Sequence, residues 1–379
     1  MSRPSNPIPR ILHIHSSFDP GGKELRCVQL INAFGAAAHH ALVSCDPDKR
    51  GAAALIRPFV AWASFPSLRG KPWPWRLNRM AAAMAGFDLV CTYNWGAMDA
   101  VLAHTLFADV HHLPPLVHHE DGFNEDEAER LKPARNFYRR LALGRSSALV
   151  VPSRRLEQIA LETWDQPRSR GRRIPNGIAT RAYAKKPKPD VLPGLVKHKG
   201  EFWVGTLAGL RAVKNLTALV RAFAPLPDDW QLVIAGEGPE RAAILAEAER
   251  LGIEHRVHLP GFVADPAKLV GLFDLFALAS HSEQFPISVV EAMAAGLPVV
   301  SPAVGDVAAM VAEANAPFVV PPGDEEALGR ALATLAADPA KRRAIGAANQ
   351  ALARKDYDEG KMIARYKALY WALMGRQAT

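Results

Sequence analysis

Short apolar runs recur along this chain and alternate with stretches of helical periodicity. The runs lack a regular polar alternation, which is typical of strands that are covered on both faces. Helical stretches such as GPERAAILAEAERLG and ISVVEAMAAG separate many of them. Strands that alternate with helices predict parallel sheets. The predicted strands cover residues 11–15, 41–45, 89–93, 115–119, 148–153, 202–208, 231–236, 257–261, 275–280 and 298–302.

The pattern divides the chain into two predicted α/β domains, and a length of 379 residues agrees with that number. A segment rich in Pro and Lys, residues 183–200, lacks periodicity and indicates a linker. We expect an N-terminal domain over residues 1–190 and a C-terminal domain over residues 191–357. Both are expected to be Rossmann-like, doubly wound and facing a common cleft. Residues 358–379 contain an amphipathic stretch, which we expect to form a helix that packs back on the N-terminal domain.

Composition is that of an ordinary globular protein, with 49% apolar and 22% charged residues. No apolar run reaches the ~20 residues that a membrane-spanning helix needs, and the N-terminus lacks the apolar run of a signal peptide. Cys27, Cys45 and Cys91 form no C-x-x-C pair and fit free thiols in a reducing compartment. We therefore expect a cytoplasmic protein.

The net charge of +8 is unevenly distributed. Residues 1–190 carry 27 Lys and Arg against 17 Asp and Glu, whereas residues 191–379 carry 19 against 21. A basic half can attract nucleic acid, anionic lipid or a phosphorylated acceptor, and it can equally be a solvated surface. The basic residues lack a recognisable nucleic-acid motif or aromatic platform, so we do not expect nucleic acid as a partner.

Two pairs of glycines come after predicted strands, where parallel α/β sheets bind their ligands. Gly21 and Gly22 follow the first strand and allow a close backbone approach before a helix whose N-terminus can attract an anion. Gly236 and Gly238 belong to a glycine-rich turn that can bind the base or ribose of a nucleotide. Each pair can equally be a plain turn between a strand and a helix.

Two clusters add charged or titratable groups to such turns. Arg211 and Lys214 lie between a strand and an amphipathic helix, where two cations can clamp a diphosphate. His118, His119 and Asp121 follow another strand and are candidates for acid–base chemistry or substrate contacts. Solvated surface side chains are the alternative for both clusters. A metal site is disfavoured because no other cluster of ligands has metal-site spacing.

The stretch SEQFPISVVEAMAAGLPVVS places Glu283 and Glu291 with seven residues between them. Pro286 suits the first turn of a helix because its missing N–H costs nothing there. Glu291 falls about one and a half turns into that helix, where a carboxylate is costly without a partner. Sugar hydroxyls are such a partner, since a carboxylate accepts paired hydrogen bonds from a vicinal diol. Two unrelated glutamates, one in a loop and one at a helix edge, are the alternative.

Six stretches of the chain follow one another in the order and at the spacing of a known family. They are GGKE after the first strand, VPS at 151–153, RIPNGI at 173–178, LRAVKN at 210–215, VIAGEGPER at 233–241 and SEQFPISVVEAMAAGLPVVSPAVGD at 282–306. The chain thereby resembles a family 4 glycosyltransferase of the GT-B type over most of its length. The resemblance implies sugar transfer with retention of anomeric configuration, a nucleotide-sugar donor that is usually a UDP-sugar, and no metal cofactor.

The resemblance also implies roles for individual residues. Glu291 would bind the ribose hydroxyls of the donor, Glu283 the hydroxyls of the donor sugar, and Lys214 the diphosphate. Gly22 would approach the phosphate from the N-terminal domain. The other implied donor contacts come from Gly21, Gly236, Gly238 and the backbone at Phe285, Ile287 and Ser288.

Two positions depart from the family pattern. The family often has an Arg directly after a glycine, five residues before the Lys, but Gly209 stands there and Arg211 becomes the candidate. The family also often has a His before a glycine after the fourth strand. This chain has Asp121 there, with His118 and His119 just upstream. Which of these three meets the donor or the acceptor stays open.

The sequence gives less information about the acceptor substrate than about the donor. Residues 62–80 combine tryptophans with basic side chains, which suits a membrane interface, a saccharide-stacking surface or an irregular packed loop. We expect a saccharide or lipid-linked acceptor in cell-envelope or exopolysaccharide synthesis, with peripheral attachment to an anionic membrane surface left open. The alternatives are a GT-B nucleotide-sugar epimerase and a non-catalytic nucleotide-sugar-binding protein.

Overall fold

The structure, a computed structural model, describes residues 7–123, 125–127, 130–192 and 194–377. The chain separates into two compact units. The first contains the described residues of Met1–Pro175 and Met362–Thr379, and the second contains those of Asn176–Lys361. Among the described residues, no helix combines the length and apolarity that crossing a bilayer requires.

The first unit is built on a seven-stranded parallel sheet. Its strands are β1 (Arg10–His15), β2 (His39–Ser44), β3 (Val60–Trp62), β4 (Leu89–Tyr93), β5 (Leu116–His119), β6 (Ala148–Val151) and β7 (Gly171–Arg173). Their order across the sheet is β3-β2-β1-β4-β5-β6-β7, and all neighbours are parallel. The first five helices are α1 (Gly22–Phe34), α2 (Pro74–Met84), α3 (Met98–Phe107), α4 (Pro133–Ala142) and α5 (Arg154–Glu162).

The side chains of β1 show why an apolar run of this kind forms a strand buried on both faces. Leu12 and Ile14 pack in a core cluster with residues of α2 and α3. Ile11 packs in a second cluster with residues of α1. Alternate residues of a strand face opposite sides of a sheet, so helices cover both faces here. The predicted doubly wound α/β architecture is confirmed.

The second unit has a six-stranded parallel sheet. Its strands are β8 (Phe202–Leu207), β9 (Trp230–Ala235), β10 (Val257–Gly261), β11 (Leu275–Ala277), β12 (Val299–Pro302) and β13 (Val319–Val320), in the order β10-β9-β8-β11-β12-β13. Its helices are α6 (Thr180–Tyr183), α7 (Leu216–Phe223), α8 (Arg241–Arg250), α9 (Ile287–Ala294), α10 (Val307–Met310), α11 (Glu325–Ala337) and α12 (Pro339–Asp356). Two apolar clusters again cover the two faces.

A final helix, α13 (Glu359–Leu373), contributes its residues from Met362 onward to the first unit. Tyr366 and Tyr370 of this helix are fully buried. The ring of Tyr370 stacks on Phe34 of α1 at 5.9 Å, and its hydroxyl lies 2.8 Å from Nε2 of His119. The end of the chain therefore completes the core around the first sheet.

Each sheet has one point at which the strand order reverses. The reversal lies between β1 and β4 in the first unit and between β8 and β11 in the second. Ligands of open α/β sheets bind outside the carboxyl ends of the strands at such switch points. The loops after these four strands are therefore where a site is expected.

Candidate functional site

Lys214 and Glu283 meet beside the switch point of the second sheet. Lys214 ends a 3₁₀ turn, Ala212–Lys214, after β8, and Glu283 lies in the loop after β11. The Nζ atom of Lys214 lies 2.5 Å from Oε1 of Glu283, and the hydroxyl of Ser280 donates to that oxygen at 2.7 Å. Both charged side chains are largely buried, at 17% and 12% exposure. An ammonium has three donors, so one bond to Glu283 leaves donors for a ligand.

Arg211 begins the turn that Lys214 ends. The backbone N–H of Lys214 donates to the carbonyl of Arg211 at 2.9 Å, and the side chain of Arg211 is exposed. Asn215, the next residue, adopts a left-handed conformation with φ of 48°, and α7 follows directly. The structure thus places both predicted cations in one tight turn at the carboxyl end of β8.

Gly236 and Gly238 let the loop after β9 pack against the loop after β8. A Cβ atom on Gly236 would lie 1.9 Å from the carbonyl oxygen of Ala208. A Cβ atom on Gly238 would lie 2.4 Å from the carbonyl oxygen of Leu210. A backbone hydrogen bond of 2.9 Å from Leu210 to Glu237 joins the same two loops. The two glycines therefore allow the loop after β9 to support the turn that carries Arg211 and Lys214. The sequence alone did not distinguish this structural role from contact with a ligand.

The helix α9 begins at Ile287, directly after Pro286, as the sequence predicted. The N–H groups of its first turn, including those of Ile287 and Ser288, lack partners within the helix and carry its positive dipole end. The ring of Phe285 is buried against Tyr357, with centroids 5.7 Å apart. Phe285 thus anchors the start of α9 in the core.

The loop after β12 supports the backbone at Glu283, which sequence reasoning missed. Gly305 has φ of 56°, and a Cβ atom there would lie 2.6 Å from the carbonyl oxygen of Glu283. The N–H of Asp306 donates to the carbonyl of Gln284 at 3.2 Å. The signal was a Gly-Asp pair directly after an apolar strand, within the quoted stretch SPAVGD.

Glu291 is bound by a tyrosine of the protein itself. The hydroxyl of Tyr183, the last residue of α6, donates to Oε1 of Glu291 at 2.7 Å. Burial raises the pKa of Glu291, and the hydrogen bond from Tyr183 opposes that rise. Burial and the nearby carboxylate raise the pKa of Tyr183, so its hydroxyl stays a donor. Tyr183 fell within the predicted linker, whose lack of periodicity gave no sign of a buried side chain.

In the first unit, Gly21 and Gly22 form the junction between the loop after β1 and α1. The helix begins at Gly22, and Gly21 has an extended backbone with φ of −155°. A Cβ atom on Gly21 would lie 2.8 Å from Oε2 of Glu24, whose carboxylate is also bound by Lys23. The start of α1 therefore already lies beside a carboxylate of its own first turn.

Asp121 lies directly after β5, where it pairs with Arg26 of α1. Its two carboxylate oxygens accept from the two terminal guanidinium nitrogens of Arg26, and Oδ2 lies 2.8 Å from Nη2. Burial by itself lowers the pKa of Arg26, but Asp121 outweighs it, and that pKa is raised well above its ordinary value. The backbone N–H of Asp121 donates to the side chain of Asn94 at 2.8 Å. Arg26 lies just after the GGKE motif, and its role was not predicted.

His118 and His119 are the last two residues of β5, and both are fully buried. Nδ1 of His118 lies 2.8 Å from the hydroxyl of Thr92. Nδ1 of His119 lies 3.1 Å from the carbonyl of Thr92, and its Nε2 lies 2.8 Å from the hydroxyl of Tyr370. Burial, and next Arg26, lower the pKa of His119 well below its ordinary value. The expectation that both imidazoles line a cleft is corrected, and Asp121 alone of the three keeps partial exposure.

A buried ion cluster supports the segment after Asp121. Arg139 of α4 is fully buried; its Nε lies 3.3 Å from Glu120, and its Nη2 lies 3.1 Å from Glu127. Its guanidinium also lies over the rings of Trp95 and Trp164, at 4.9 and 5.1 Å. Charge is tolerated in this interior because it is paired and covered by aromatic faces.

Two sequence profiles match this chain in succession. The family described as "Glycosyltransferase Family 4" matches residues 20–182, and the family described as "Glycosyl transferases group 1" matches residues 190–351. Together the two matches account for well over half of the 379 residues.

Individual relatives agree with these matches. The N-acetyl-alpha-D-glucosaminyl L-malate synthase of Bacillus anthracis is 26% identical over 201 residues, which are 52% of this chain and 53% of that protein. The chain thus spans about half the length of this curated relative. The crystal structure of Anabaena HepE in complex with UDP has a TM-score of 0.77 at 24% identity, over 94% of this chain and 98% of that chain.

Further matching structures of HepE are in complex with UDP and glucose and in complex with UDP-glucose. The lipopolysaccharide outer core galactosyltransferase WaaB, in its apo form, has a TM-score of 0.71 at 14% identity, over 95% of this chain and 99% of that chain. At these identities the structural likeness establishes the fold, with two parallel sheets of the Rossmann type.

Proposed function

This chain belongs to glycosyltransferase family 4, and we propose that it transfers a sugar from a nucleotide-sugar donor to an acceptor hydroxyl, with retention of configuration. The donor is a UDP-sugar, which the complexes of HepE with UDP and UDP-glucose support. The second unit binds the donor, and the first unit contributes the acceptor side. Family membership by itself does not assign the donor to the second unit or the acceptor side to the first unit, and both assignments are part of this proposal.

The observation that carries this proposal is the Lys214–Glu283 pair at the switch point of the second sheet. When the bond between sugar and diphosphate breaks, negative charge develops on the departing phosphate oxygens. Preorganised positive groups stabilise such charge most strongly where water is excluded. Lys214, Arg211 and the N-terminal end of α9 bring three sources of positive potential to one sheet edge.

The two glutamates take different hydroxyl groups of the donor. Glu283 lies beside the cation that meets the diphosphate, so its carboxylate is placed to accept hydrogen bonds from the sugar next to that diphosphate. Glu291 lies just over one turn into α9, four residues after Ile287, and it accepts from the ribose. Gly236 and Gly238 keep the turn around Arg211 in shape, because their missing side chains let the two loops pack together. Their contact with the nucleotide is the role that the family resemblance implies.

On the acceptor side, Asp121 is the candidate that contacts substrate, since His118 and His119 are enclosed by protein. Gly21 and Gly22 keep the role that the family resemblance implies for them, as backbone that approaches a phosphate. Asp121 is already paired with Arg26, so its part is to orient a hydroxyl or to hold Arg26 in place. The acceptor is a saccharide or a lipid-linked saccharide of envelope or exopolysaccharide synthesis, which the likeness to WaaB supports.

A turnover assay tests the function. The purified protein is incubated with a panel of UDP-sugars, with and without a pool of saccharide and lipid-linked acceptors, and release of UDP is measured. The proposal predicts UDP release that depends on the acceptor and a product of retained configuration. UDP and a new sugar formed without acceptor would identify an epimerase. Saturable UDP binding without turnover in any combination would identify a binding protein.

We also propose that the first unit attaches to an anionic membrane surface. Phe59, Trp73 and Trp75 expose 91%, 54% and 63% of their surface. The side chains of Arg69 and Lys71 lie in the same segment and are exposed. Exposed aromatic side chains with neighbouring cations favour the interface of an anionic bilayer, where lipid-linked acceptors reside.

Vesicle sedimentation tests this attachment. We expect the protein to sediment with phosphatidylglycerol vesicles more than with phosphatidylcholine vesicles, and Trp73→Ser with Trp75→Ser to lose the difference. Phe262→Ser is the matched control, since Phe262 is 70% exposed in the second unit. Equal sedimentation with both lipids would remove the membrane from the proposal.

A further inference from the structure

We infer that Tyr183 is a positioning residue of the donor site, which holds Glu291 in one orientation so that its second carboxylate oxygen meets the ribose. The inference rests on the proposed function, because it assigns a partner to the glutamate that binds the nucleotide. Tyr183 lies outside all six motifs, five positions after the last residue of RIPNGI.

The backbone that carries Tyr183 is fixed by hydrogen bonds to a distant segment of the same unit. The N–H of Ile178 donates to the carbonyl of Tyr357 at 3.0 Å, and the N–H of Glu359 donates to the carbonyl of Ile178 at 2.9 Å. The hydroxyl of Thr180 donates to the carboxylate of Asp358 at 2.6 Å. These bonds hold α6 at its first residue, three positions before Tyr183.

The close contact at this anchor requires a glycine. A Cβ atom on Gly177 would lie 2.9 Å from both the carbonyl oxygen of Asp358 and the Cα atom of Glu359. The two segments therefore pack backbone against backbone. A support of this kind leaves α6 little freedom to shift relative to the core.

The ring of Tyr183 is fixed as firmly as its backbone. It is 8% exposed and belongs to the apolar cluster that also contains Val289 and Val290 of α9. Because Glu291 lies on α9 as well, both ends of the hydrogen bond are set by the same packed core. The 2.7 Å bond from the hydroxyl to Oε1 is thus a fixed feature that does not depend on a mobile side chain.

The bond has two chemical consequences for Glu291. It occupies Oε1, so a ligand meets a carboxylate whose rotation is restricted and whose other oxygen is the acceptor. It also stabilises the ionised carboxylate, since it lowers a pKa that burial raises. Because the carboxylate is ionised and oriented before the ligand binds, binding does not cost the conformational entropy that a freely rotating side chain would lose.

Calorimetric titration of the full chain with UDP and with 2′,3′-dideoxyuridine diphosphate tests the inference. We expect Tyr183→Phe to weaken UDP binding about five-fold, the size typical of one hydrogen bond. The dideoxy compound lacks the ribose hydroxyls, so Tyr183→Phe and the wild type should bind it equally. Tyr357→Phe is the matched control, because it removes from the same core a hydroxyl that donates to the carbonyl of Met310 at 3.2 Å.

The pH dependence of UDP binding is a second measurement. It should not change if Tyr183 only supports the fold. Protonation of Glu291 removes its acceptor charge, so binding weakens as the pH falls through the pKa of that carboxyl. Loss of the Tyr183 hydroxyl should shift this weakening to higher pH, and Tyr357→Phe should not. In a Glu291→Ala background, which removes the acceptor of the Tyr183 hydroxyl, Tyr183→Phe should have no further effect on UDP affinity.

The outcomes separate this inference from the proposed function. If the wild type binds UDP and Tyr183→Phe binds it equally at every pH, Tyr183 has no positioning role and the donor assignment stands. If Tyr183→Phe weakens UDP and the dideoxy compound alike, the residue only supports the fold and the inference fails. If the wild type binds no nucleoside diphosphate, the donor assignment fails and the inference fails with it.

Discussion

Four charged candidates of the site, Lys214, Glu283, Glu291 and Asp121, each have a partner within the protein. Lys214 pairs with Glu283, Tyr183 donates to Glu291, and Asp121 pairs with Arg26. Partly buried charges are costly without such partners. A ligand therefore shares these groups with the protein and finds their positions already set. The geometry of each side chain is fixed by its partner as much as by its own position in the sequence.

Loss of either member of the Lys214–Glu283 pair should abolish most of the transfer. We expect Lys214→Met and Glu283→Gln each to lower kcat about 100-fold or more, the size seen when a group that stabilises developing charge is removed. Turnover measured under saturating donor checks this expectation.

Lys197→Met is the matched control for that experiment. Lys197 pairs with Asp274 at 2.6 Å and is also 17% exposed, but Asp274 precedes β11 at the amino end of the strand. Loss of the Lys197 ammonium should lower stability and leave kcat close to the wild-type value. A kcat that falls equally in all three variants would argue that the pair at 214 and 283 serves stability alone.

The buried histidines of the first unit should make the protein acid-sensitive. Burial lowers the pKa of His13, His15 and His119 well below 6.5, and it lowers that of His40 to about 4. The folded state then binds fewer protons than the unfolded state, so stability is full above pH 6.5 and falls as the pH decreases toward 4. His40 by itself should remove about 2 kcal/mol between pH 7 and pH 5.

Urea unfolding at pH 7 and pH 5 measures this dependence. His40→Gln should reduce the difference between the two pH values, whereas a His198→Gln variant, changed at an exposed position, should keep it. A free energy of unfolding that stays constant from pH 7 to pH 5 would contradict the argument.

At the scale of elements, the sequence predicted the strands whose apolar side chains indicate burial. All ten predicted strands exist. Nine of them have mostly buried residues, whereas β10 lies at a sheet edge and is largely half-buried. The three strands that were missed, β3, β7 and β13, are two or three residues long and lie at sheet edges. Their form depends on a neighbouring strand, which local sequence does not record. The same limit applies to His118 and His119, which end the predicted strand 115–119 but whose burial by other elements the sequence did not show.

The glycines after β9 give an element-scale prediction. Gly236→Ala would place a Cβ atom 1.9 Å from the carbonyl oxygen of Ala208, so the two loops would have to separate. We expect a loss of stability well above the ~1 kcal/mol of an ordinary strained glycine, together with weaker donor binding. Gly252→Ala is the control, since its φ is 70° but nothing lies within 4 Å of the added atom. Thermal unfolding that is equal in the two variants would show that the loops adjust freely.

At the scale of the whole molecule, the motifs predicted the fold because their order follows the strands of two sheets. The amphipathic stretch at residues 358–379 was expected to pack back on the N-terminal domain, and the first compact unit contains residues 362–377 beside residues 7–175. The individual contacts that it makes there were not predicted. Contacts between distant parts of a chain leave no local pattern. The partners Arg26 and Tyr183 escaped for the same reason, since each meets its carboxylate across about a hundred residues of sequence.

Removal of residues 362–379 should therefore destabilise the first unit selectively. The deletion takes away Tyr366, Tyr370 and Trp371, each a large buried side chain worth roughly 1.5–3 kcal/mol. Limited proteolysis should then degrade the first unit and leave a resistant fragment near residues 176–361. A shorter deletion, of residues 377–379, is the control. Equal resistance of both units after the long deletion would contradict this division of the core.

The position of α13 also has a consequence for biosynthesis. A ribosome releases residues 176–361 as one uninterrupted segment, so the second unit can acquire its native core while translation continues. The first unit is made earlier, but it must wait for the aromatic residues near position 370 before its interior closes. Chaperone contacts during translation should accordingly concentrate on the N-terminal half and end when the last helix leaves the exit tunnel.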